Sequence, residues 1–93
     1  MPAEIETYLC KHPDIKEAAV VGVPDETLGN RICAFLIMEE ENTLDMQAIH
    51  QFLKEIGVAS YKLPDQVEII EEWPLTSVGK IDKKVLGQMA QGK

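Results

Sequence analysis

The residues best suited to chemistry lie in the stretch PLTSVGKIDKK (74–84), where Gly79 and Lys80 stand in a short loop ahead of a helix. A Gly-Lys pair suggests phosphate binding. A phosphate-binding loop, however, needs a further Gly five residues before the pair's Gly and a Ser or Thr after the Lys. Pro74 and Ile81 occupy those two positions, so that pattern fails and Lys80 must be judged by itself. Gly79 lets the backbone turn tightly or approach another surface closely. Asp82 starts the next helix and fixes the loop's end, while Val78 and Ile81 flank the pair as apolar anchors. A lysine held on such a loop suits delivery of a point charge to a phosphate or carboxylate. Spacing alone still favours an ordinary surface lysine.

Other candidates carry less. His12 and His50 are isolated, one at a helix end and one at a polar helix position, with no second ligand at metal spacing, which favours surface histidines. Glu39–Glu41 and Glu71–Glu72 are charge runs of the kind found on solvated faces. Trp73 and Tyr61 are lone aromatics, which in a small domain more often complete a core than stack on a ligand. No Ser/His/Asp set and no glycine-rich cradle is present.

The elements that must position Lys80 fit one small domain of 93 residues. A chain of this length buries only about two-thirds of its unfolded surface, enough for one modest core. Its 45% hydrophobic content is ordinary for a globular protein, and its net charge of −7 argues against a broad nucleic-acid-binding face. Cys10 and Cys33 are too few for a disulfide framework, and both fall in apolar patterns expected to bury free thiols in a reduced, cytoplasmic setting. No apolar run approaches the roughly 18 residues needed to span a membrane. Met1, directly ahead of helix-like sequence, reads as an added start on an excised fragment.

Hydrophobic periodicity gives the order helix, strand, strand, helix, strand, loop, helix. PAEIETYLCKH opens a helix with Pro2 at its first position, acids in its opening turns, Ile5, Tyr8 and Leu9 on one face, and Pro13 as its stop. EAAVVGV (17–23) and RICAFLIM (31–38) are predicted strands joined by turn residues over 24–30, the second apolar on both faces and central. Asp45 caps a helix with Leu44 and Ile49 as a hydrophobic staple, a stripe of Ile49, Phe52, Leu53 and Ile56, and Gly57 as its stop. DQVEIIEEW (65–73) alternates Val67 and Ile69 against Glu68 and Ile70 as a third, half-exposed strand. Asp82 caps a last helix carrying Val85, Leu86 and Met89. The expected class is α+β: a small, mostly antiparallel three-stranded sheet packed with helices on one side, and a lysine-bearing loop before the last helix.

PLTSVGKIDKKVL resembles the last core motif of the adenylate-forming enzymes, which include acyl-CoA synthetases, luciferases and peptide-synthetase adenylation domains. PAEIETYLCKHPDIKEAAVVGVPDETLGNRICAFLIMEE resembles the opening of their small C-terminal domain, and GVASYKLPDQVEIIEEWPLT the segment before the lysine loop. The resemblance covers essentially the whole chain. VASYKLPD followed by PLTSVGKIDKK is most similar to the 2,3-dihydroxybenzoate–AMP ligases and their salicylate relatives, which start siderophore assembly.

The resemblance implies that residues 1–93 are a C-terminal lid domain, lacking the N-terminal ATP- and acid-binding domain and the hinge. It implies ATP with Mg2+, bound mainly by that N-terminal domain, and the pantetheine thiol of a carrier protein or CoA as acceptor. Its partners would be the N-terminal domain and an aryl or acyl carrier protein. Lys80, supported by Gly79, would be the catalytic lysine contacting ATP and the acyl-adenylate, withdrawn when the lid rotates for thioester formation. The fragment by itself is expected to be inactive. An acyl-CoA synthetase, an amino-acid adenylation domain, or a non-enzymatic carrier-binding module stand as alternatives.

Overall fold

Two long apolar strands make the frame. In the computed structural model, which describes residues 2–27 and 29–92, the order is α1 (Pro2–Leu9), β1 (Ile15–Asp25), β2 (Gly29–Met38), α2 (Met46–Ile56), a 3-10 turn (Ser60–Lys62), β3 (Gln66–Ile69) and α3 (Lys83–Gln91). β1 and β2 form an antiparallel hairpin in which Val20 faces Ala34 and Val23 faces Arg31. Both strands extend beyond the stretches expected from periodicity, so Pro24 and Asp25 belong to β1 and the turn is short. Leu28, part of that expected turn, lies outside the described residues, as does Met1. The crossover through α2 returns the chain parallel to β2, pairing Cys33 with Gln66 and Leu36 with Ile69. β2 is thus the central strand, in the order β1-β2-β3.

The apolar character of β2 on both faces decides the layering. Alternate residues of a strand point to opposite sides. Val20, Ala34 and Leu36 face Ile5 and Leu9 of α1 and Ile49 and Leu53 of α2. Ala19, Val21, Val23, Cys33 and Phe35 face Leu86 and Ala90 of α3. Helices therefore cover both sides, not one as the sequence pattern suggested, because a strand apolar on both faces needs cover on both. Ala90 takes the core position assigned to Met89, which is exposed.

The ends of the helices follow their capping residues. Asp45 accepts from the Ala48 N–H at 2.8 Å, and Leu44 packs on the cluster containing Ile49. Gly57 takes a left-handed conformation (φ 107°); its N–H donates to the Lys54 carbonyl while the Val58 N–H donates to that of Leu53. That double bond is a Schellman cap, and its apolar partner is Val58, buried with Leu53 in one cluster. Val58 so fills the space that a simple helical stripe gives to Ile56, which is exposed. α1 ends at Leu9, ahead of Pro13, and the chain unwinds through bonds from Lys11 to Tyr8 and from His12 to Leu9. In β3, Ile70 just beyond the strand packs on the α3 side, and Ile69 is exposed. No helix among the described residues is long and apolar enough to cross a membrane.

One carboxylate joins the two layers at the β1 edge. Glu6 Oε2 of α1 accepts from the backbone N–H of Val20 at 2.8 Å and from Nζ of Lys83, at the start of α3, at 2.7 Å. The bond occupies an outward N–H of an edge strand, a group that otherwise invites pairing with another chain. On the far side Arg31 donates to the last-turn carbonyl of Ala90 at 2.9 Å, which places a cation at the negative end of α3. α3 is therefore tied at both ends.

The two cysteines part company: Cys33 is buried and Cys10 is exposed. Burial first, and then the Glu68 carboxylate, push the Cys33 thiol from 9.0 up to about 11, with Arg31 opposing. Because the folded value is the higher one, the contribution to stability is complete below pH 9 and lost as pH rises from there towards 11. Cys10 is expected to react with iodoacetamide at pH 8 in the folded protein and Cys33 only in denaturant, as counted by mass spectrometry. Cys33→Ala is expected to flatten the fall in urea-unfolding stability over pH 9–11.

Candidate functional site: the lysine hairpin

Lys80 lies on a closed backbone hairpin. The Thr76 N–H donates to the Lys80 carbonyl at 2.8 Å, and the Gly79 N–H donates back to the Thr76 carbonyl at 3.0 Å. Outside this ring Leu75 bridges Ile81 in antiparallel fashion, and the Asp82 N–H donates to the Pro74 carbonyl at 2.7 Å. This is the bonding of a three-residue hairpin loop, Ser77-Val78-Gly79, whose last residue must turn left-handed. Gly79 does so, with φ 83°. The Thr76 hydroxyl adds a bond from the Lys80 N–H at 3.3 Å.

The hairpin is fixed to the domain at both feet. Before it, Trp73 packs on the α3-side cluster and its indole N–H donates to Glu17 at 3.0 Å. After it, Ile81 joins the same cluster, and Asp82 caps α3 by accepting from the Val85 N–H at 3.2 Å. Of the two apolar flanks expected to hold the loop, Ile81 does so. Val78 does not: it is 76% exposed, because it occupies the tip of the turn.

The Lys80 side chain is exposed, and its ammonium has no ion pair among the described residues. That is notable in a chain with 16 acidic residues. Lys83, by contrast, is held by Glu6 because its helix start faces α1 across the sheet edge. Lys84 is exposed.

The remaining candidates have local partners. His12 accepts from the Asp14 N–H at 3.0 Å and stacks edge-on against Phe52, and His50 bonds the Pro64 carbonyl at 2.6 Å. Both are half-buried structural groups, not surface histidines. Tyr61 is 80% exposed in the 3-10 turn, so it does not complete the core. Glu39–Glu41 and Glu71–Glu72 are exposed, as their charge requires. Among the described residues no group of three or more His, Cys, Asp or Glu could hold a metal ion. Thr76 and the Glu6–Lys83 pair escaped the sequence pattern. For Thr76 the signal was present in the spacing Leu75-Thr76…Lys80-Ile81 about a three-residue tip that ends in Gly79.

The description AMP-binding enzyme C-terminal domain fits residues 4–80, a span that ends on Lys80. The chain belongs to that family. Pseudomonine synthase PmsE of Pseudomonas entomophila is 48% identical over 83 residues, which are 89% of this chain and 13% of that protein. The vibriobactin-specific 2,3-dihydroxybenzoate-AMP ligase of Vibrio cholerae is 42% identical over 83 residues, 89% of this chain and 15% of that one. In three dimensions, ATP-bound MatB from Rhodopseudomonas palustris superposes with a TM-score of 0.87 at 28% identity, covering 97% of this chain and 18% of that one. This AMP-binding C-terminal domain thus spans about a seventh of the length of the curated relatives it matches.

Within this AMP-binding C-terminal domain the left-handed glycine sets the hairpin's geometry, and it can be tested directly. A Cβ added at Gly79 meets nothing within 4 Å, so Gly79→Ala carries only backbone strain. The expected loss is about 1–2 kcal/mol in urea unfolding, with the fold otherwise unchanged. A neutral substitution would mean that the hairpin does not hold its left-handed turn.

Proposed function

We propose that residues 1–93 are the C-terminal lid domain of a carboxylic acid–AMP ligase, with an aryl acid of the 2,3-dihydroxybenzoate type as substrate, acting in siderophore biosynthesis in the cytoplasm. The ligase activates the acid with ATP, releasing pyrophosphate, and passes the acyl group to the thiol of a carrier-protein pantetheine or of CoA. The domain's part is Lys80. Its carboxylic substrate and the α-phosphate of ATP are both negative, and bringing them together requires a positioned cation. The observation that carries this is a Lys80 ammonium with no ion pair among the described residues, on a closed hairpin in a chain of this family.

Several features support the division of labour. The chain has no glycine-rich cradle for the nucleotide and no cluster of metal ligands among its described residues, so ATP and Mg2+ fall to the larger N-terminal part of the protein. What the domain supplies is a charge that can arrive for one step and leave for the next. A unit charge at ~4 Å in an effective dielectric of ~20 contributes about 4 kcal/mol, roughly a thousandfold in rate when it acts only in the transition state. The carrier protein would meet other faces of the domain, and the exposed Glu39–Glu41 run is a poor contact for an acidic carrier.

In the full-length enzyme, Lys80→Ala is expected to lower acid-dependent ATP–pyrophosphate exchange by about a thousandfold. Acyl transfer from supplied acyl-adenylate to the thiol should change much less. Lys84→Ala is the matched control; Lys83→Ala is not, because it also releases Glu6. Equal losses in both half-reactions, or no loss in exchange, would refute the role given to Lys80.

A further inference from the structure

The tip of the lysine hairpin breaks a local rule. The bond from the Gly79 N–H to the Thr76 carbonyl closes a four-residue turn, which makes Ser77 and Val78 its central residues. Such positions favour Gly, Asn, Asp or Ser, whose side chains suit tight turns and water. A β-branched apolar residue there gains nothing from the turn, and Val78 gains nothing from the core either, being 76% exposed. Leu75, at the foot of the same hairpin, is 59% exposed even though its bridge partner Ile81 packs inward. Single exposed apolar residues are common. These two differ in sharing a seven-residue segment with Lys80, held rigid by paired backbone bonds. Local inconsistency of this kind marks surfaces shaped by function.

The occupant of this surface follows from the domain's size relative to its kin. More than four-fifths of each matched relative lies outside the region matched here. A large body on the same polypeptide is therefore available, and Lys80 acts only when the hairpin reaches it. We propose that Val78 and Leu75 form an apolar contact with the larger, N-terminal part of the ligase chain, seating the hairpin so that Lys80 is held at the reacting groups. They are positioning residues. This rests on the function proposed above for Lys80 and adds what holds the lysine there. An ammonium entering an anionic site is drawn by charge at any orientation, whereas two side chains on a rigid loop fix one approach. Val78 also keeps water from the contact, which strengthens the charge interaction beside it.

The test uses the full-length chain, with Val78→Ser, Leu75→Ser and the double variant beside Lys80→Ala. Removing either buried contact should lower the docked population by about tenfold, and seating is unimolecular once substrates are bound. The loss should therefore appear in kcat for pyrophosphate exchange, with KM for ATP and acid little changed. Thioester formation from supplied acyl-adenylate and the thermal midpoint of the 93-residue domain should stay at parental values, and Val78→Ile should restore exchange. Parental exchange in both serine variants, with Lys80→Ala still deficient, would overturn this contact while leaving the role of Lys80 standing. Equal losses in both half-reactions would overturn it as a general structural effect. If Lys80→Ala is also silent, the functional proposal and this inference fall together.

Discussion

A single carboxylate, Glu6, links α1, β1 and α3, which no one apolar cluster joins together. It accepts from the outward N–H of Val20 on the edge of β1 and from Lys83 at the start of α3, while its own helix packs on the opposite face of the sheet. The part-buried bond from Val20 to this charged acceptor contributes about 1.5–3 kcal/mol, and the half-exposed Lys83 pair about 0–1 kcal/mol. Here they also have a geometric consequence. α3 begins three residues after Lys80, so fixing Lys83 fixes the exit of the lysine hairpin. Arg31 completes the restraint by holding the other end of α3 through Ala90.

From that frame the hairpin inherits its direction. Trp73 and Ile81 sit in the α3-side cluster, and the backbone between them closes on itself through Thr76, Gly79 and Lys80. The result is a rigid loop ending in a flexible charged side chain. Rigidity would limit the entropy lost on the docking proposed above, and an ammonium with no ion pair among the described residues has none to break before meeting the anion proposed for it. A lysine already held in a salt bridge, such as Lys83, would have that pair to break first.

Much of this was legible in the sequence, and the gaps have physical causes. The caps at Asp45, Gly57 and Asp82, the central place of β2 and the loop around Gly79–Lys80 were readable because each rests on local chemistry. The side of the sheet taken by α3 was not, since strand periodicity says which residues share a face but not which helix covers it. The exposure of Val78, Tyr61 and Cys10 also escaped, because apolar identity alone does not distinguish a core position from a displayed one. The Glu6–Lys83 pair spans 77 positions in the chain, beyond any spacing rule. The role proposed for Lys80 rests on resemblance; the geometry adds a closed hairpin and an ammonium without an ion pair among the described residues.

The domain is expected to carry this hairpin ready-made, needing no other part of the protein to form it. Amide hydrogen exchange on the 93-residue chain, read by NMR, tests that most directly. Protected amides are expected at Thr76, Gly79 and Asp82, the three backbone donors that close the loop, and unprotected amides at the tip residues Ser77 and Val78. Exchange of all five at unstructured rates would contradict it, leaving Lys80 on a loop that forms only on contact with the rest of the enzyme.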